Sequence, residues 1–202
     1  MTTMQRSTPN YMNPDDFDRV LKSIPLLKIR KQKDEDVRML FIILYWIGLR
    51  PSEAIYLKAE DFDLENHNLY LGKTKTHRHD IAPIPDHIIP ALQEWLDDKE
   101  NGRLFPDLTY RTAYNWIKRL GVMLQIIPWI THRDEIGEAN KLHIFRKSLG
   151  KDLLTGTHGT KMPIEIISKQ LRHQDIGVTL NSYLKSSHEA VKEHWKEFSV
   201  RY

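Results

Sequence analysis

Apolar positions recur at helical spacing over most of the chain. The first stripe, Phe17, Val20 and Leu21, follows a marked start: Asn13 can cap with its side chain, and Pro14 suits the first helical position. Asp15 and Asp16 then face the positive end of the helix dipole. A polar loop over 28–36 leads into a second helix built on the apolar run 39–47, which ends near Gly48. Pro51 opens a short helix through Leu57, so Arg50 falls at a helix-to-helix turn.

Between Asp61 and Pro85 the period changes. Leu69-Tyr70-Leu71 and Ile81-Ala82-Pro83-Ile84 are strand-like runs flanking Gly-Lys-Thr-Lys-Thr-His-Arg-His-Asp, the pattern of a β-hairpin with a basic loop. Helical periodicity returns at 86–98, 109–124, 142–155, 163–171 and 187–199. The expected fold is mainly α with a small antiparallel β-sheet. No segment repeats and none is of low complexity.

Length sets the next bound: 202 residues suit one domain, 1–202, with 1–12 a flexible N-terminal segment and 186–202 a C-terminal helix or tail. Ala190, Val191, Trp195 and Phe198 in that tail share one helical face, which would dock on a neighbouring copy or fold back on its own domain. With 40% hydrophobic and 28% charged residues the chain can bury a core and stay soluble. Its net charge is only +3 despite 30 lysines and arginines, so any case for a polyanionic partner rests on local clusters, at 28–33 and 73–78. The lack of cysteine excludes thiol catalysis, disulfides and cysteine-based zinc sites. The run 39–47 is about half of the ~20 residues a membrane-spanning helix needs, and the first residues do not read as a signal peptide. These features suggest a cytoplasmic protein, at the nucleoid or elsewhere in a host cell's interior, without a membrane partner.

Three separated segments carry the chemistry. They are Gly48-Leu49-Arg50-Pro51-Ser52-Glu53, then Leu142-His143-Ile144-Phe145-Arg146, then Leu171-Arg172-His173 running on through Val178-Thr179-Leu180-Asn181-Ser182-Tyr183. Their order and spacing resemble the tyrosine recombinase or phage integrase family, whose boxes read approximately T-G-L-R-x-S-E, H-x-L-R, and L-G-H with a tyrosine nine or ten residues on. The resemblance runs from about residue 11 to 185, the family's catalytic domain, and implies that DNA-breaking and rejoining fold.

Carried over residue by residue, the resemblance makes Arg50 and Arg146 the grip on the scissile phosphate, a task for which a permanently charged, forked guanidinium is suited. It makes His143 the proton acceptor for the nucleophile, three residues before Arg146 and so on the same side of a helix. His173 would donate a hydrogen bond to the phosphate. On the hairpin, the family spacing counted back from Ala82-Pro83-Ile84 selects Lys75 to protonate the departing 5′ oxygen, with Lys73 as the alternative. Tyr183 would attack phosphorus and leave a 3′-phosphotyrosyl bond, in a reaction that needs no cofactor, ATP or metal. Lys73, Arg78, Lys147 and Arg172 would add contacts to double-stranded DNA, and recombination would engage a synaptic tetramer of the chain.

Arg172 stands where the family usually has glycine, and Lys147 where histidine is common. The stretch 155–163 is longer than usual, and the N-terminal domain that clamps the far side of the duplex in family members is expected to be absent. Singly, each residue has an ordinary explanation: Arg50 as an ion-pair partner of Glu53, His143 and His173 as structural histidines, Tyr183 as a core aromatic. Mutually consistent roles outweigh these. Within the same chemistry a type IB topoisomerase-like relaxing enzyme remains open, and outside it a non-catalytic DNA-binding module. His77, His79 and Asp80 lack further ligands at suitable spacing, so a metal is not expected. Trp116 reads as core as readily as groove-facing.

Overall fold

A computed structural model describes residues 11–72, 80–126, 142–173 and 175–183. Helix α1 (Pro14–Lys22) starts as its sequence dictates, with the Asn13 side chain accepting the Asp16 backbone N–H at 2.7 Å. Met12, the last residue of the segment expected to be flexible, is fully buried, and its backbone N–H donates to Ser148 Oγ at 2.8 Å; residues 1–10 lie outside the described residues. A 3₁₀ turn at Ile24–Leu27 leads to α2 (Asp34–Ile42), which passes into a π turn, Ile43–Ile47, and stops at Gly48. Helix α3 (Pro51–Ala54) is shorter than the expected run to Leu57.

The hairpin is present as β2 (Asn68–Leu71) and β3 (Asp80–Pro83), antiparallel with Leu69 opposite Ala82 and Leu71 opposite Asp80. A two-residue strand, β1 (Phe62–Asp63), pairs with the free edge of β2 and was not expected from periodicity, being too short to show one. A 3₁₀ turn at Asp86–Ile88 precedes α4 (Ile89–Asp97), followed by α5 (Tyr110–Met123), α6 (His143–Thr155) and α7 (Ile164–Gln170). These match the helices read from the pattern to within a few residues. Helix α8 (Ile176–Tyr183) was not expected, whereas the expected helix at 187–199 lies outside the described residues.

One large core joins α1, α2, the sheet, α4, α5 and the start of α6. Phe17 stacks on Tyr45 at 4.1 Å, and Phe145 meets the edge of Phe17 at 6.0 Å and Phe41 at 5.1 Å. Trp116 belongs to this core and not to a groove-facing surface. The long stretch after α6 packs back: His158 lies 4.6 Å from the Trp46 ring and its Nε2 is 3.2 Å from the Tyr45 hydroxyl, which donates to buried Asp152. A smaller cluster, Leu149, Ile167 and Leu171, joins α6 to α7.

Candidate active site

The site grows from the end of the π turn, a helical irregularity frequent at functional positions. Gly48 adopts φ +70°, and a Cβ there would lie 2.9 Å from Leu149 Cδ2 and 3.0 Å from Leu171 Cδ2. Backbone conformation and close approach therefore both call for glycine. Its carbonyl accepts a hydrogen bond from Arg146 Nη1, so the buried arginine of α6 is fixed to the loop that presents Arg50 two residues on.

Arg50 is held by Glu53 in two ways. The Glu53 carboxylate accepts the Arg50 backbone N–H at 2.7 Å, as acids three residues into a helix often do, and the guanidinium Nη1 at 2.7 Å. Nη2 reaches the backbone carbonyl of Arg172 at 3.2 Å. The ion pair expected of an isolated arginine thus exists, but it leaves the Arg50 side chain 38% exposed.

Both histidines sense these guanidinium groups. Burial, then Arg146, Lys147 and Arg50, hold the His143 imidazole below its ordinary range, and its Nδ1 is buried with no hydrogen-bond partner among the described residues. His173 is lowered to about 4, first by burial and then by Arg146, Arg50 and Arg172. The lowering favours the uncharged form of both rings at neutral pH. His143 is therefore competent to accept a proton. The His173 ring is oriented by Thr179, whose hydroxyl lies 2.7 Å from Nδ1, and when the hydroxyl donates there Nε2 carries a proton to give away.

Thr179 is completely buried on α8, four residues before Tyr183. Its role was not read from the sequence, although a hydroxyl six residues after His173 and one helical turn before Tyr183 is a detectable signal. Glu53 was read as a motif member and as an ion-pair partner of Arg50, but it joins two arginines, Arg50 and Arg172. Burial pushes its carboxyl up, but Arg172 and Arg50 outweigh burial and set it below the usual carboxylate range.

Arg172 departs from its expected place at DNA. Its side chain is 4% exposed, with Nη2 on Glu53 Oε2 at 2.6 Å and Nε at 3.1 Å from Asp80 Oδ2. Lys147, next to Arg146 on α6, is partly exposed. Lys73, Lys75 and Arg78 lie outside the described residues, as do His77 and His79. Among the described residues no group of three histidine or acidic side chains is placed to hold a metal ion. Nor is any helix among them long and apolar enough to cross a membrane.

Arg50, His143, Arg146 and His173 are thus brought together, with Thr179 tying His173 to α8, the helix that ends at Tyr183. The profile of the phage integrase family matches residues 10–190, nearly the whole chain. The chain belongs to the phage integrase family. Among the relatives of this family member, the tyrosine recombinase XerA of Thermococcus onnurineus is 27% identical over 177 residues, covering 86% of this chain and 57% of the relative. The tyrosine recombinase XerH of Helicobacter pylori is 32% identical over 95 residues, 46% of this chain and 26% of that one. The chain therefore spans little more than half the length of the relatives it matches along most of its own.

Solved structures agree on the integrase fold. An XerH site-specific recombinase in a post-cleavage complex with a palindromic difH substrate aligns with TM-score 0.70 at 20% identity, over 98% of this chain and 56% of that one. The catalytic domain of bacteriophage HP1 integrase aligns with TM-score 0.59 at 21% identity, over 85% of both chains. The architecture is that of tyrosine recombinase catalytic domains: mostly helical, with a small antiparallel sheet.

Proposed function

We propose that this chain is the catalytic domain of a site-specific recombinase, which cuts and rejoins double-stranded DNA inside the cell through a covalent 3′-phosphotyrosyl intermediate on Tyr183. The observation that carries this reading is the convergence of two fixed arginines and two neutral histidines around the Gly48 turn, with His173 hydrogen-bonded to the helix that holds Tyr183. Family membership supports it, as do relatives named tyrosine recombinases and structural neighbours solved with DNA substrates.

Arg50 and Arg146 bind the non-bridging oxygens of the scissile phosphate and stabilise the charge that builds there in the transition state. His143 takes the proton of the Tyr183 hydroxyl as its oxygen forms the bond to phosphorus. His173 donates to a phosphate oxygen. The bond from phosphorus to the 5′ oxygen breaks, and Lys75 supplies the proton that makes the leaving group a 5′ hydroxyl. A 5′ hydroxyl from a second DNA end then attacks the phosphotyrosine and reverses the steps, so the phosphoester bond energy is conserved. Lys73, Arg78, Lys147 and the exposed Lys28, Arg30, Lys31 and Lys33 supply backbone phosphate contacts. Copies of the chain assemble as a tetramer on paired sites.

Incubating the protein with a nicked suicide duplex in EDTA tests this reading. A denaturation-resistant protein–DNA adduct that disappears in Tyr183→Phe is the expected result. No adduct, or one that survives the substitution, overturns it. Replacing Lys75 and Lys73 separately by alanine assigns the acid: Lys75→Ala should slow cleavage, and slowing by Lys73→Ala alone would move the role.

A further inference from the structure

Arg172 occupies a backbone conformation, φ +49°, that favours glycine. A side chain kept there against that preference calls for a compensating contact. Arg172 makes several. Its guanidinium meets Glu53 and, in an ion-pair contact, Asp80, the first residue of β3; its carbonyl meets Arg50. Two residues earlier, Gln170 Nε2 lies 3.4 Å from both the Pro83 carbonyl and the Ile47 carbonyl. The segment 170–172 therefore touches β3 at both of its ends and the Gly48–Arg50 turn from the other side.

We propose that Arg172 is a positioning residue for the cleavage step, fastening the base of the β2–β3 hairpin to the Arg50–Glu53 pair so that hairpin and phosphate grip hold one fixed geometry. This rests on the recombinase reading above. A direct phosphate contact is disfavoured because the side chain is buried against two carboxylates. Those carboxylates supply a second effect. Arg50 and Arg172 balance Glu53 and Asp80; without Arg172 two acids would face one arginine beside the phosphate, weakening the field that Arg50 presents.

Single-turnover cleavage of the nicked duplex, with rate measured against protein concentration, separates the outcomes. Arg172→Ala should lower the maximal rate about tenfold or more while the half-saturating concentration moves less than about threefold. Arg172→Lys should recover part of the rate, since it returns the charge without the fork. Asp80→Asn should also slow cleavage, and the double variant should be no slower than Arg172→Ala alone, because both substitutions break one link. Arg172→Gly relieves the left-handed backbone, so it should unfold at the wild-type temperature or above and still cleave slowly, which separates positioning from folding.

The proposal is overturned if Arg172→Ala keeps the maximal rate but binds more weakly with a salt slope lower by about one, the signature of a lost phosphate contact. It is equally overturned if Arg172 and Asp80 substitutions act additively. An unsubstituted protein that forms no adduct overturns the recombinase reading and this role with it; a wild-type rate in Arg172→Ala overturns this role alone.

Discussion

Arg50 and Arg146 are held at the Gly48 turn and on α6, whereas His173 and the helix carrying Tyr183 follow α7 and pack against α6 and α7. On the first side each group has a close support: the Gly48 carbonyl under Arg146, Glu53 under Arg50, and a glycine whose left-handed backbone and leucine neighbours disfavour a side chain. On the second side, among the described residues, a hydrogen bond between Thr179 and His173 ties that histidine to α8. Groups that stabilise developing charge must be fixed before the reaction, because reorganising them would consume the stabilisation they provide. A nucleophile that attacks one DNA strand and is later released has no such requirement, and a helix on a small apolar footing belongs to the less stable parts of a fold.

The largest effect should come from the fixed side. Arg146→Ala removes a phosphate ligand and the partner of the Gly48 carbonyl, and should slow single-turnover cleavage by roughly 10²–10³. A loss below about tenfold would mean that Arg146 is structural only. Gly48→Ala should destabilise the fold by about 1–3 kcal/mol, through a strained left-handed residue and the contact with Leu149 and Leu171, as read by urea denaturation. Unchanged stability would show that this turn is not fixed.

On the other side the expected changes are smaller. Thr179→Val keeps the shape and deletes the hydroxyl, so stability should fall by about 1 kcal/mol while cleavage slows several-fold, reporting a misdirected His173. Equal rates would break the link between His173 and α8. Amide hydrogen exchange should find α8 opening before α6, and equal protection would erase the contrast between the two sides.

The smallest effect concerns pH. His143 and His173 are lowered in the folded protein, and for His173, lowered to about 4, the unfolded chain binds a proton that the folded one does not between about 6.5, where exposed histidine titrates, and about 4. Stability should therefore decline as pH falls through that window, and His173→Gln should flatten the decline. Glu53, also lowered, contributes stability above the ordinary carboxylate range that is lost at still lower pH. Because His143 is lowered by burial and by Arg146, Lys147 and Arg50, the acid limb of the cleavage profile should lie below the range where exposed histidine titrates.

The sequence made the fixed side legible because its constraints are local. Gly48, Arg50 and Glu53 fall within one turn, and His143 and Arg146 within one turn of another helix, so motif and geometry coincide. The second side was harder to read. Gly177, Val178 and Thr179 are weak helix formers, and nothing in their pattern announces α8; it forms through packing against α6 and α7. Arg172 was read as a DNA contact because it adds positive charge beside the phosphate-binding motif, but only the fold brings Glu53 and Asp80 to it across long separations in sequence. The π turn likewise leaves no mark in a run of apolar residues.

Mass spectrometry of the peptide attached to DNA tests the central claim most directly. Protein trapped on the suicide duplex, digested with protease and nuclease, should yield one modified peptide, with the 3′-phosphate on the Tyr183 oxygen. Attachment at another residue, or through a 5′-phosphate, would contradict the reaction assigned to this site.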